Sequence, residues 1–413
     1  MSPLARRIAA FSVLLLSLAI VAVLTLRATG GGLLASPTPV AATATPRPSE
    51  PAASQDLLTV FAQIEDQVQE LRGLPAAEIG PPQIMTRAEL AQVLPGLLEP
   101  ALDNASLRAL GLLDANQDIV ALTEQLYVDQ VAGYYDFDTK RMVVVTDEGL
   151  TPAARITYAH EYTHALQDAA FDSSAAQEAV AGQRDRELSL LALEEGDATT
   201  SMVLWAIGHL SAGELAGVAQ TPVPDMSGIP PWMVRLLEFP YLSGAVFVGQ
   251  LYASGGWDAV NAAYGKLPAS TEQVLHLAAY ANDEAPIEVD PLDLWSAVGA
   301  DWVQASDTTL GEAWIAIWLE GIGVTRTASD GAAEGWGGDR LTVATNADGS
   351  WALGWRIAWD AVSDATEFET AYGGVQSGLP FATRLVHVSD LETIVLQASS
   401  ADLLETIATL AQG

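Results

Sequence analysis

The chain has no cysteine among its 413 residues. That excludes disulfide scaffolds, thiol catalysis, thiolate zinc sites and Cys-ligated iron–sulfur clusters. It also excludes a lipid-modified cysteine as a membrane anchor. Positive charge is scarce: 18 Lys+Arg stand against 52 Asp+Glu, a formal net charge of −34. A polyanion of this kind repels phosphate backbones, so no nucleic acid is expected as a partner. Half the residues are apolar, which excludes general disorder and supplies a large core. The length suits one large domain or two to three modest ones.

The ends of the chain differ in kind. An uncharged run extends from Ile8 to Leu26, bounded by Arg6, Arg7 and Arg27. At about 1.5 Å per residue it spans roughly 28 Å, close to a bilayer core of about 30 Å. The leading arginines favour a cytoplasmic start, which places the rest outside the membrane. The run exceeds the roughly 7–15 apolar residues of a cleaved signal, and no clean A-x-A site follows. Residues 1–34 are therefore expected to be an uncleaved single-pass anchor, with a cleaved signal and secretion as the alternative. Residues 35–55 carry five prolines among Thr, Ala and Ser, the composition of an extended spacer. All 52 acidic but only 15 of the 18 basic residues follow Arg27, a net charge of −37 beyond it. Anionic headgroups would repel that surface.

The folded part is expected to begin near Ser54. Leu57, Phe61, Ile64, Val68 and Leu71 recur at helical steps, with Gly73 as a stop. Thr86-Arg-Ala-Glu89 resembles a capping box, and Asp118–Val131 has a helical pattern. Asp114-Ala-Asn-Gln-Asp118 starts like a calcium loop, but Ile119 replaces the obligatory Gly and Gln125 the final Glu, so an EF-hand is rejected. Gly133-Tyr-Tyr-Asp-Phe-Asp-Thr-Lys140 followed by Met142–Thr146 predicts a hairpin. Thr151-Pro152 opens a helix, as cap and first-turn proline. A second long helix is expected over residues 177–210. No repeat of 20–50 residues is evident.

The first of these helices carries His160 and His164, four apart and so one turn apart on one face. Two imidazoles so placed reach one ion at about 2.0–2.1 Å. Glu161, beside the first, is positioned to take a proton from a metal-activated water and pass it to a leaving amine. Only neutral imidazoles bind metal, so acid should suppress activity. The second helix carries Leu193-Glu194-Glu195-Gly196-Asp197-Ala198, and Glu195 follows His164 by 31 residues, enough for an antiparallel return. A third protein ligand would leave one coordination position open, as catalytic zinc requires.

His160-Glu-Tyr-Thr-His164 with Glu195-Gly-Asp-Ala resembles gluzincin-type zinc metallopeptidases, and the longer His-Glu-Tyr-Thr-His-Ala-Leu-Gln-Asp string resembles a poorly characterised group of exported bacterial proteins of that type. Gly133-Tyr-Tyr-Asp136, Ser270-Thr-Glu-Gln-Val-Leu-His276 and Gly335-Trp-Gly-Gly-Asp-Arg340 share the likeness, so it covers most of residues 120–370. The resemblance implies zinc (Zn2+) held by His160, His164 and Glu195, with Glu161 as general base. It prefers Glu195 to Glu194, because the ligand abuts Gly in the matching pattern. It departs at Thr199, where many gluzincins carry Asp; Asp197 or Asp168 is then the candidate to orient a ligating His.

Peptide hydrolysis also needs a donor for the oxyanion and a surface for the substrate backbone. The candidate donors are His276, Tyr134, Tyr135 and Arg340, and strand Arg141–Thr146 is a candidate for strand addition to an extended peptide. Gly335–Arg340 is a candidate substrate loop, against the ordinary role of a Gly-rich turn.

All 11 Trp residues lie at or after Trp205. Trp351, Leu353, Trp355, Ile357 and Trp359 alternate, which predicts a strand with one aromatic core face. Asn346-Ala-Asp-Gly349 predicts the turn from strand Leu341–Thr345. A helix opening at Asp364, strands at Arg384–Val388 and Thr393–Gln397, and a last helix at Asp402–Leu410 complete the expectation.

The expected fold is α+β: a mainly helical, zincin-like metallopeptidase domain over residues 56–334 with a small antiparallel sheet, and a C-terminal α+β unit over 335–413 packed on it. The expected function is an exported, membrane-tethered zinc metallopeptidase acting on a peptide or protein substrate. The rivals are a non-catalytic zinc-binding ectodomain serving as a cell-envelope binding module, and a structural ectodomain without metal.

Overall fold

The computed structural model describes residues 57–94, 100–128, 131–145, 150–221 and 226–412. The apolar run, the linker and the Ser54 cap lie outside these residues. Among the described residues no helix is long and apolar enough to cross a membrane. The architecture is α+β, mainly helical, with one three-stranded and one five-stranded sheet among the described residues.

Helix α1 (Leu57–Arg72) buries Phe61, Ile64 and Val68 and ends where Gly73 takes φ +68°, a conformation glycine adopts without strain. Strands β1 (Gly80–Met85), β2 (Gly133–Asp136) and β3 (Arg141–Val145) form the first sheet in the order β1-β3-β2. The predicted hairpin is β2–β3, with Tyr134 opposite Val143 and Tyr135 opposite Met142. No strand was expected at β1, which holds Pro81 and Pro82 and pairs with β3 in parallel. An edge strand tolerates those prolines because one row of its amides needs no partner. With β1 on one side and β2 on the other, β3 has no open edge. The expected strand addition at Arg141–Thr146 is therefore corrected: the sheet already uses both rows of its hydrogen-bonding groups.

Helix α2 (Pro152–Phe171) starts as expected, Thr151 accepting from the Ala154 amide and Pro152 filling the first turn. The long helix expected over 177–210 is two helices. Ser173–Val180 ends before Ala181, Gly182 has φ +83°, and α3 (Arg184–His209) starts afresh. Helix α4 (Pro231–Gly265) crosses α3 and is broken at Gly255 and Gly256.

The second sheet comprises β4 (Val303–Thr308), β5 (Trp336–Thr345), β6 (Trp351–Trp359), β7 (Ala382–Ser389) and β8 (Glu392–Ala398). Its order is β4-β5-β6-β8-β7 and every pairing is antiparallel. Strand β4, upstream of the boundary expected at residue 335, pairs with β5. Helix α5 (Gly311–Gly321) is also upstream of it, and its Trp314 and Trp318 sit in one core cluster with Trp336, Trp355 and Trp359. Helix α6 (Val362–Val375) adds Phe368 and Tyr372 to that cluster. The opposite face is also covered. Ala352, Ile394 and Leu396 meet Leu292, Leu294 and, from α7 (Ala401–Ala408), Leu404 and Ile407.

Trp318 is fully buried and its indole N–H donates to the Leu110 carbonyl at 2.8 Å. Trp318→Ala should lower unfolding free energy by about 3–5 kcal/mol, read as a lower denaturant midpoint with little change in slope.

Candidate metal centre

Helices α2 and α3 run against one another and bring three ligand atoms together. His160 Nε2 lies 3.0 Å from Glu195 Oε2, His164 Nε2 lies 3.1 Å from His160 Nε2, and His164 Nε2 lies 3.4 Å from Glu195 Oε2. The three residues are at most 1 % exposed. A tetrahedron with arms of about 2.0–2.1 Å has edges of about 3.3–3.4 Å. The three separations are close to three corners of that figure, so the donor set fits zinc. Burial disfavours charge on both rings. The Glu195 carboxylate nevertheless raises His164 to about 10, while His160 is lowered by burial despite its bond to Glu195. Against its own burial, Glu195 is held down at about 2 by charged His164 and by the bonds from both rings.

The tautomer of His164 follows from its neighbours. Gln167 donates through Nε2 to the Glu194 carbonyl at 2.9 Å and to Asp197 Oδ2 at 3.1 Å. Its Oε1 must then accept, and it takes His164 Nδ1–H at 2.8 Å. That leaves the Nε2 lone pair of His164 for the ligand cluster. Asp197 is fixed in turn by Arg72, which donates through Nε at 2.8 Å and Nη2 at 3.0 Å, and by the Tyr264 hydroxyl at 2.9 Å. His160 Nδ1 is buried with no hydrogen-bond partner among the described residues.

Glu161 is fully buried, and its Oε2 accepts the Tyr135 backbone N–H at 3.0 Å. The Gly-Tyr-Tyr-Asp strand therefore serves the site through its backbone. At Gly133 a Cβ would fall 2.8 Å from the Val143 carbonyl, so only glycine lets β2 lie this close.

The structure sorts the other candidates. Glu194 faces away from the histidines, accepting from Gln177 at 2.9 Å, and burial raises it to about 7. Asp168 takes the Tyr135 hydroxyl at 3.0 Å, together with Lys140 and Ser174, and orients no histidine. Asp197 acts on His164 one residue removed, through Gln167. Tyr134 packs with Leu90, Val131 and Val143 in a separate apolar cluster. His276 pairs with Glu312 at 2.9 Å and Arg340 with Asp307 at 2.5 Å.

A residue absent from the candidates, Tyr241, stands over the cluster. Its ring lies on that of His160, with centroids 6.1 Å apart and planes at 27°, and its hydroxyl hydrogen-bonds Glu195. Burial, then the charges of Glu195 and Glu161, hold that hydroxyl well above its ordinary pKa. Its placement depends on two glycines. A Cβ on Gly196 would lie 2.2 Å from the Gly244 carbonyl, and one on Gly244 would lie 2.1 Å from that of Ala192. The α3 and α4 backbones touch there, and Tyr241 sits about one turn before Gly244.

Residues 301–405 match a family described as a domain of unknown function, DUF8575. That segment spans β4 to α7 and excludes the histidine cluster. No curated protein and no solved structure matches the chain.

Gln167→Leu should cost about 10–100-fold in zinc affinity, since His164 loses the bond that sets its tautomer; competition with a chromogenic chelator measures it. Gly244→Val should separate α3 from α4 and lower both zinc affinity and thermal midpoint, the latter read by calorimetry.

Proposed function

We propose that the chain is an exported, membrane-tethered zinc metallopeptidase that hydrolyses peptide bonds. The observation that supports this most is the convergence of His160 Nε2, His164 Nε2 and Glu195 Oε2 within 3.0–3.4 Å. Glu161 lies on α2 with both histidines. His160, His164 and Glu195 would hold the zinc. When bound, zinc supplies a Lewis acid that acidifies water and polarises a carbonyl. Glu161 accepts the proton of the attacking water and delivers it to the departing amine. The Tyr135 amide fixes the angle of its carboxylate throughout. Tyr241, kept protonated by its neighbours, would turn its hydroxyl from Glu195 to the oxygen on which charge develops, in a site dry enough to strengthen that bond. The export assignment rests on the apolar run Ile8–Leu26, with Arg6 and Arg7 before it and the proline-rich spacer after it.

The complete burial of His160, Glu161, His164 and Glu195 favours a second reading, in which zinc only braces α2 against α3 in a non-catalytic binding module.

Glu161→Gln separates the two. It should retain one zinc per chain and lose roughly 10²–10⁴-fold in cleavage of a mixed peptide library. A fully active variant contradicts the mechanism, and zinc-loaded wild type that cleaves nothing supports the second reading. Tyr241→Phe should lower kcat about 10²–10³-fold with zinc retained. Activity should also fall toward acid pH, as protons displace the metal from the imidazoles; added zinc should then shift the acid limb downward.

A further inference from the structure

Two segments that the peptidase mechanism leaves unused, Ser270–His276 and Gly335–Arg340, meet at a second acidic cluster. Glu272 lies on the helix Thr271–Leu275, whose start is pinned to Asp185 by the Thr271 amide at 2.9 Å and hydroxyl at 2.6 Å. Glu284 lies on the following segment. That segment is held by Gln273 Nε2 on the Glu284 carbonyl at 2.6 Å and by the Ile287 amide on the Gly337 carbonyl at 2.7 Å. Asp360 follows the last residue of β6, its amide donating to the Gly335 carbonyl at 2.9 Å. The glycines of Gly335-Trp-Gly-Gly make this approach possible. A Cβ on Gly337 would fall 2.9 Å from Asp360 Oδ1, and one on Gly338 would fall 2.2 Å from the Ile287 carbonyl.

Carboxylate oxygens of Glu272, Glu284 and Asp360 lie within 4.8 Å of one another. Glu284 and Asp360 are exposed, but Glu272 is 6 % exposed and its carboxylate has no hydrogen bond or ion pair among the described residues. Behind it stands Glu312, 4 % exposed. Its Oε1 holds His276 at 2.9 Å, and its Oε2 is buried with no partner among the described residues. A side chain buried to this degree, with its carboxylate facing two others and only His276 as a positive neighbour, is costly to ionise, and either a proton or a cation relieves it. Burial, then Asp360, Glu312 and Glu284, accordingly push Glu272 up to about 8.

We propose that Glu272, Glu284 and Asp360 form a second metal site, which takes one calcium ion and ties the Thr271–Leu275 helix and residues 284–287 to the five-stranded sheet. The donors are all carboxylate oxygens, which suit a hard cation and disfavour zinc beside two imidazoles elsewhere in the chain. Two of the three residues face solvent, leaving room for water to complete a loose shell of six to eight oxygens. Calcium accepts such a shell; magnesium demands a tighter octahedron.

The test is equilibrium dialysis of calcium against the full chain, stripped of metal and reloaded with one equivalent of zinc. One calcium per chain is expected, with a rise in thermal midpoint that magnesium at the same concentration does not match. Glu284→Gln and Asp360→Asn alter exposed side chains and leave the core intact, and each should weaken calcium binding at least about tenfold. No bound calcium at about 10 mM, or binding that both substitutions leave unchanged, overturns the proposal. The readout does not involve hydrolysis, so its failure leaves the peptidase reading untouched.

Discussion

Arg72 and Asp197 meet in a two-pronged ion pair with both side chains fully buried, and the candidate metal centre is built outward from it. Removing two charges from water costs several kcal/mol per ion unless hydrogen bonds replace the lost hydration. Here they do. Asp197 also accepts from Tyr264 and Gln167, and Arg72 also donates to Asn261 at 2.9 Å while its guanidinium lies 4.2 Å over the Trp257 ring. The pair joins the end of α1 to the middle of α3, and through Gln167 it dictates which nitrogen of His164 faces Glu195. The consequence of a surface-like charge placed in the core is therefore chemical as well as structural: it sets a tautomer.

Each residue of Glu195-Gly196-Asp197 then has a separate physical task. Glu195 faces the histidines, Gly196 admits the α4 backbone, and Asp197 receives Arg72. Moving the sequence by one position would turn the carboxylate from the histidines, put a Cβ into the Gly244 carbonyl and leave Arg72 buried without its partner. The close crossing is also what puts Tyr241 over His160, so a helix-packing constraint delivers a hydroxyl to the site.

Much of this was legible in the sequence, because the informative patterns are local. The four-residue step from His160 to His164, the Thr151-Pro152 start, the Tyr-rich hairpin and the alternating Trp strand are each fixed by neighbours within a few residues. What escaped depends on distant partners. Strand β1 has two prolines and is a strand only because β3 lies beside it. The break at Gly182 falls in a polar stretch with no apolar period to lose. Strand β4 gave no reason to join a sheet that begins almost 30 residues later. Tyr241 has no motif of its own and is placed by the contact between Gly196 and Gly244. Gln167 was nearer to hand. It lies three residues after His164 on the same helical face, and an amide at that offset is a natural partner for an imidazole Nδ1.

The central claim is that His160, His164 and Glu195 together hold zinc. The zinc K-edge absorption spectrum of the metal-loaded chain tests it most directly. Scattering from two imidazole rings and from carboxylate oxygen, all at about 2.0–2.2 Å, is expected, and the imidazole features should vanish in a His160→Ala, His164→Ala chain. A spectrum of oxygen scatterers alone, or one that survives loss of both histidines, would contradict it.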